Sequence, residues 1–476
     1  MTEALYARSD IVRARDLKER GLAALRPATI AFLFILFVLY VVNAYPGRAD
    51  TDTIWMLKQG VNRWYGDWHS PFISLLFRTL DSTGHPIGAL FVVQIALWFA
   101  GFALIADGLL AAGWRRAGVV VALAALFPPT SYGLLDVNKD GLLSAACLAL
   151  VGIGLRHQLL ASTWKWGKVL AVAVLLLVIS LSRHNGLVAA LPLMLLFLRE
   201  LPRRWTQFLK VVAAGLVLAL ALSAARLVLE RGILGAHQFH MLQVLAIFDI
   251  GGMTYRAGKD VTHGMFGPDF VAANRDCYDP ALVDPYTPGQ KCNDFFFPRY
   301  WGLNQKAKTR NSIYRAWILA IIDNPTHYIA HRVAHYAILI RLDCRSCANV
   351  STTTQWNANP TQEPFRPTSL MRFYDVAANS LLRSRLGRPF VWMIVLLMML
   401  VLAAASYFRN VDGEGSKAAL HGAVVVLCSG LVYALGYLFF GIADALRYLH
   451  WLYTAGLIGS ILTVATFPMP GLRSRS

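Results

Sequence analysis

Residues 29–44 read TIAFLFILFVLYVVNA and run directly into YPGRADTD at residues 45–52. The chain passes abruptly from a segment suited to hydrocarbon to one that needs water. A bilayer core takes roughly 20 apolar residues per helix, so this block with its neighbours is a first span ending at a membrane face. Comparable blocks recur at Pro86–Leu110, Val211–Leu229, Val391–Tyr407 and Gly422–Phe440, with shorter ones at Ala117–Phe127 and Leu187–Leu198. Together they predict an all-α polytopic membrane protein of about ten transmembrane helices. The composition agrees, with 56% apolar and only 15% charged residues, far less charge than a soluble chain of this length carries. The first block follows a charged tail and lacks a small-residue cleavage site, so it is expected to be a retained helix.

The net charge of +18 is not spread evenly. Basic residues gather in Arg8–Arg26, Arg115–Arg116, Arg156–Lys168, Arg199–Lys210, Arg409–Lys417 and Arg473–Arg475. Most of these clusters fall in alternate gaps between apolar blocks, which is the positive-inside pattern and places both termini in the cytoplasm. The excess charge therefore reads as orientation and attraction to membrane lipid, and no nucleic-acid motif is present. Four regions follow: a basic cytoplasmic tail (1–28), an N-terminal transmembrane module (29–230) with a first outer loop at 45–85, an outer, periplasmic segment (231–388), and C-terminal transmembrane helices with a short cytoplasmic tail (389–476). The expected location is a bacterial inner membrane, with the chemistry on the outer face.

Cysteines support that sidedness. Cys147 and Cys428 lie in apolar blocks, whereas Cys277, Cys292, Cys344 and Cys347 all lie in the long outer segment. Four cysteines on one oxidising face suggest two disulfides. Cys277–Cys292 with Cys344–Cys347 is the simplest of three pairings, and zinc is the rival reading. Within the same segment, Ser312–Arg341 has helical apolar spacing with a break near Pro325, as expected of an amphipathic helix at the membrane surface. His327, His331 and His335 draw one stripe on it; no acidic partner stands at metal-site spacing, so an interfacial face shared with Tyr328 and Tyr336 is expected.

Three cations break the charge rule. Lys139 in DVNKDG, Arg183 in SRHNG and Arg447 in IADALRY all sit in outer turns beside spans. Charge at that depth is costly unless used or paired. Structural pairs of Lys139 with Asp136 or Asp140, and of Arg447 with Asp444, are the plain alternative. Three on one face point to a shared anion, and a phosphate suits forked Arg donors and a compact Lys charge. The first outer loop adds Asp50, Asp52, Asp67 and His69, interleaved with Trp55, Tyr65 and Trp68. Acid with aromatic is the lining expected of a carbohydrate site.

Taken in order, Tyr45-Pro46-Gly47, Asp52-Thr53, Asp67-Trp68-His69-Ser70-Pro71, Lys139-Asp140, Arg183-His184-Asn185-Gly186, Asp249 in AIFDIGG, and Arg447-Tyr448 resemble the integral-membrane glycosyltransferases of the GT-C superfamily. The chain departs from that pattern at Trp68, where a second histidine is commoner, and at Ser70, where proline often follows directly. The resemblance implies a polyprenyl-phosphate-linked sugar as donor, a glycan or lipid-linked acceptor, and transfer with inversion. It makes Asp52 the general base, with Asp50 as its alternate. Lys139, Arg183 and Arg447 would hold the donor phosphate, and Asp67, His69, Asp140, Asn185, Asp249 and Tyr448 would contact substrate. No cofactor is specified; a divalent metal is left open. An outer-face polysaccharide polymerase or ligase is the alternative, and a lipid-linked-sugar transporter a further one. In-line displacement predicts that Asp52, Lys139, Arg183 and Arg447 converge with Asp140 and Asp249 nearby. It also predicts that Asp52 stands several ångströms from the cations, with room for a sugar ring between.

Overall fold

The computed structural model describes residues 24–287, 290–292, 307–342, 368–409 and 413–467. These are almost entirely helical. The first helix, α1 (Ala24–Ala44), leads to α2 (Thr51–Val61) and α3 (Pro71–Leu80), then to α4 (Pro86–Ala111), α5 (Arg115–Ala124) and α6 (Pro128–Ser131). Next come α7 (Lys139–Leu159), α8 (Trp166–Ser182), α9 (Gly186–Leu193) and α10 (Trp205–Leu227). The segment 231–388, expected to face outward and called the outer segment below, holds α11 (Met241–Ala257), α12 (Phe270–Cys277), α13 (Ala307–Asp323), α14 (Pro325–Leu339) and α15 (Ser369–Arg383). The chain closes with α16 (Pro389–Phe408), α17 (Glu414–Phe440) and α18 (His450–Ala465).

Seven helical segments among the described residues are long and apolar enough to cross a membrane. An eighth is formed if the pair Arg115–Ala124 and Pro128–Leu135, bent by 57°, counts as one span. The bend has a local cause. Pro128 and Pro129 follow Phe127, and the residue before a proline is driven into extended backbone, which Phe127 adopts. Two shorter apolar helices, Trp166–Ser182 and Gly186–Phe197, lie between them.

The bundle is apolar outside as well as inside. Only 6% of the most apolar window of Trp205–Ile233 is buried, and Leu216, Val217 and Leu220 are exposed. Such a surface suits lipid, not water. Inside, Trp98, Phe102 and Trp451 are fully buried among α4, α7 and α18.

The outer segment has a second core, with Phe248, Phe270, Tyr286 and Ile313 at its centre. A Cys277–Cys292 disulfide closes it, joining Cα atoms 5.8 Å apart. Cys344 and Cys347 lie outside the described residues. Cys147 and Cys428 are free. The break expected near Pro325 falls at Asn324, and Pro325 starts α14 afresh. The histidine stripe faces the opposite way from expectation. His331 and His335 are fully buried, with ring centroids 4.7 and 5.2 Å from Phe248. Tyr336 is buried as well, its hydroxyl donating to the Ala434 carbonyl. Exposed Ile329 and Val333 take the outer face of α14. These aromatic and histidine side chains are large polar-tipped residues that found partners in the core, so burial won over interfacial placement.

A candidate anion site at the outer boundary

The site begins with a backbone clamp. Arg48 and Asp136 form an isolated parallel bridge, through Arg48 N to Leu135 O at 2.7 Å and Val137 N to Arg48 O at 2.8 Å. Gly47 makes this approach possible. Its φ is +85°, and a β-carbon there would fall 2.5 Å from Val137. The Arg48 guanidinium is 1% exposed and pairs with Asp136 at 2.7 Å and Asp375 at 3.5 Å, while donating to the Tyr132 hydroxyl at 2.8 Å. Two stretches far apart in sequence, 48–53 and 136–140, are thereby held side by side. The Thr53 hydroxyl adds a bond to the Val137 carbonyl at 2.6 Å.

Each stretch opens a helix. Asp50 caps α2, accepting from the Thr53 amide and hydroxyl, both at 2.7 Å. Asn138 caps α7, accepting from the Asp140 and Gly141 amides. The positive ends of both helix dipoles therefore meet at Asp52, Lys139 and Asp140.

Around that point the ionisable residues from separate turns come into contact. Arg447 pairs with Asp50, lies 2.6 Å from Asp52 and 3.7 Å from Asp140. Arg183 pairs with Asp140. Lys139 lies 3.6 Å from Asp52 and 2.6 Å from His69 Nδ1. His69 Nε2 stands 3.4 Å from Asp52. An ammonium only donates, so Nδ1 accepts from Lys139 and the ring proton sits on Nε2, facing Asp52. Burial, then the nearby Lys139 charge, holds His69 neutral with its pKa down at about 4. Burial alone would raise Asp52, but the His69 hydrogen bond and the Lys139 and Arg183 charges hold it well below the usual carboxylate range. Tyr448 covers the cations: the Arg183 guanidinium lies 4.4 Å from its ring centroid, and Tyr437 stacks on the same ring at 5.5 Å.

Several expectations are corrected. Asp52 does not stand apart from the cations; it touches Arg447. With Asp50, Asp52 and Asp140 facing Lys139, Arg183 and Arg447, the formal charges cancel, and at such distances opposite charges close on one another. The simple pairs also differ from expectation. Asp136 serves Arg48, and Arg447 takes Asp50 and Asp52 where Asp444 was weighed. Asp249 pairs with Trp317, His331 and Arg332 in the second core, and not with the cluster's cations. Asp67 accepts from the Phe239 amide at 2.6 Å and thus pins a backbone loop. Asn185 precedes α9 without a side-chain cap, and neighbouring His184 pairs with Arg226.

Trp55 packs edge-on to His69 at 5.4 Å, and Trp68 at 6.4 Å, with Phe239 between them. A cavity of about 560 Å³ opens nearby in the outer segment, lined by Tyr278, Asp279, Asp284 and Lys291 among others. Burial raises the Asp284 pKa, and the charges of Asp52 and Asp444 raise it further. Among the described residues no group of three or more His, Cys, Asp and Glu could hold a metal ion.

Arg48 was missed in the sequence, although an arginine two residues before Asp50 in an outer loop breaks the same charge rule as Lys139. Tyr437 carried no signal; only the fold sets it on Tyr448. The chain matches no family model, no curated protein and no solved structure.

Proposed function

We propose that this protein is a membrane glycosyltransferase that moves a sugar from a polyprenyl-phosphate donor to a cell-envelope acceptor on the outer face. In this reading the bent pair and both shorter apolar helices also cross, giving ten spans with both termini in the cytoplasm. The observation that carries the reading is the meeting of Lys139, Arg183 and Arg447, from three outer turns, with Asp50, Asp52 and Asp140 at two helix N-termini. Three cations and two dipole ends suit a phosphate ester.

In this reading donor binding exchanges the direct ion pairs. The donor phosphate takes Arg447 and Lys139 from the carboxylates. Asp52 loses the charges that depress its proton affinity and becomes a better base. The acceptor hydroxyl gives its proton to Asp52 as its oxygen attacks the anomeric carbon. The bond to the phosphate oxygen breaks on the opposite side, and polyprenyl phosphate leaves into the cation cluster. Trp55 and Trp68 supply apolar faces for a sugar ring.

Contact of Asp52 with Arg447 also favours a second reading, in which the carboxylate only orients the arginine and the enzyme is a polysaccharide polymerase or ligase. The test is transfer from a polyprenyl-phosphate sugar by protein reconstituted in nanodiscs. Asp52→Asn should abolish transfer and retain donor binding. Transfer at near wild-type rate by Asp52→Asn, with intact folding, would remove Asp52 as base and leave the second reading.

A further inference from the structure

The last outer turn, Gly441–Ala445, is held from outside the bundle. Arg332 of α14 donates through Nη1 to the Gly441 carbonyl at 2.7 Å, and the Val283 amide donates to the Ile442 carbonyl at 2.9 Å. Arg332 is in turn fixed by Asp249 of α11, a fully buried carboxylate that also accepts from Trp317 at 2.9 Å. This turn leads straight into Arg447. We propose that the Asp249–Arg332 pair is a positioning strut for the turn that carries Arg447, and that the buried histidines beside it release the strut on acidification. The hold on the turn does not depend on what Arg447 binds.

His335 has room for one proton. His335 Nδ1 lies 2.9 Å from the Pro280 carbonyl, which only accepts, so Nδ1 carries the proton. Among the described residues, buried His335 Nε2 has no hydrogen-bond partner; it lies against Gly441, where a β-carbon would fall 2.6 Å from it. A second proton there meets no acceptor among the described residues. His331 differs, with Nε2 at 3.2 Å from Asp249 and Nδ1 at 2.9 Å from the Tyr278 hydroxyl, which donates to the neutral ring and can accept from a charged one. The charged groups facing the two rings are Asp249 and Arg256 from α11 and Arg332 from their own helix. Tyr278 faces them from the disulfide loop, Trp317 from α13, and the end of α17 supplies backbone at Gly441. Two of the three nearby charges are cations, so a further positive charge is opposed. Burial and Arg332 accordingly place the His335 pKa at about 4.

The sign follows directly. The open state takes protons near the ordinary histidine value and the closed state does so only at lower pH, so acid favours opening. The test is hydrogen exchange of the full chain in nanodiscs, read on peptides covering residues 441–449, with labelling times corrected for the intrinsic pH dependence of exchange. Protection should fall by about tenfold between about pH 7 and about pH 5. Arg332→Gln should lower protection at both pH values. His331→Gln with His335→Gln should abolish the pH response, since Gln can still donate to the Pro280 carbonyl. If that pair fails to fold, Asp249→Asn is the second variant, and it should lower protection at about pH 7. Equal wild-type protection at both pH values, or an unchanged turn in Arg332→Gln, would overturn the strut.

Discussion

Arg447 Nη2 donates to Asp52 Oδ2 at 2.6 Å, across 395 residues of sequence. Its other terminal nitrogen pairs with Asp50. One guanidinium thus bridges two carboxylates that differ in their commitments. The Asp50 side chain is tied to the first turn of α2, whereas among the described residues the Asp52 side chain pairs with Arg447, Lys139 and His69.

The two acids should therefore separate on substitution. Asn caps a helix as well as Asp, so Asp50→Asn should lose only the partly exposed Arg447 pair, while Asp50→Ala should cost about 1 kcal/mol more through the lost cap. Thermal unfolding in detergent compares them. Arg447→Ala should weaken donor binding and turnover together, because phosphate contacts are lost in ground and transition states alike. A normal KM for that variant would contradict a phosphate role.

Arg48→Ala should be among the most damaging single changes. It leaves Asp136 buried without its cation and should cost about 3–5 kcal/mol. Arg48→Met with Asp136→Leu should regain much of that loss, since an apolar pair fills the same space. Recovery of melting temperature by the double variant, relative to Arg48→Ala, is the measurement.

His69 gives the site a pH dependence of fixed sign. Its pKa falls from 6.5 unfolded to about 4 folded. Between those values the unfolded chain holds a proton that the folded site refuses. Its contribution is complete above about pH 6.5 and is lost progressively as pH falls toward about 4. Asp52, also depressed, contributes above the ordinary carboxylate value and loses that contribution as pH falls below about 4. His69→Gln should flatten the loss of thermal stability between about pH 6.5 and about pH 5; an unchanged slope would assign that dependence elsewhere.

Reduction should loosen the outer core first. The Cys277–Cys292 bridge spans 15 residues, a loop length for which closure is worth about 3 kcal/mol. Proteolysis of reduced protein should begin in the loop between Cys277 and Cys292 while the spans stay intact. Early cleavage within the bundle would contradict this order.

Sidedness is checked by cysteine labelling. Ala272 is exposed on α12, whereas Asn274 on the same helix is buried against Tyr286. Ala272→Cys should react with an impermeant reagent from the outer face alone. Reaction only from the cytoplasm would reverse the topology.

The long apolar helices were legible because hydropathy acts over whole segments; seven to eight of the ten expected spans stand as such among the described residues. The cluster members were legible for a related reason: Lys139, Arg183 and Arg447 stand out as cations where few belong. Their pairing was not. Which of three carboxylates closes on Arg447 depends on ångström-scale placement by the Arg48–Asp136 clamp, which links residues 88 apart. Asp249 misled because its motif marks a buried charge but not its partner. Arg332 lay unremarked within the histidine stripe, whose spacing fits a membrane-surface face and a buried face equally well. Only packing against Phe248 decides between them.

The cancelling charges of the outer cluster bear on how a ligand finds it. A neutral constellation casts little field beyond its rim, so anions dissolved in the surrounding water are not drawn toward it, and encounter from bulk proceeds without electrostatic steering. A phosphate on an apolar chain needs no such guidance. If the proposed lipid-linked donor is the ligand, it already travels in the plane of the membrane and would meet the cations by lateral diffusion. Selection against free phosphate would then come from the dimensionality of the search, before any contact is made.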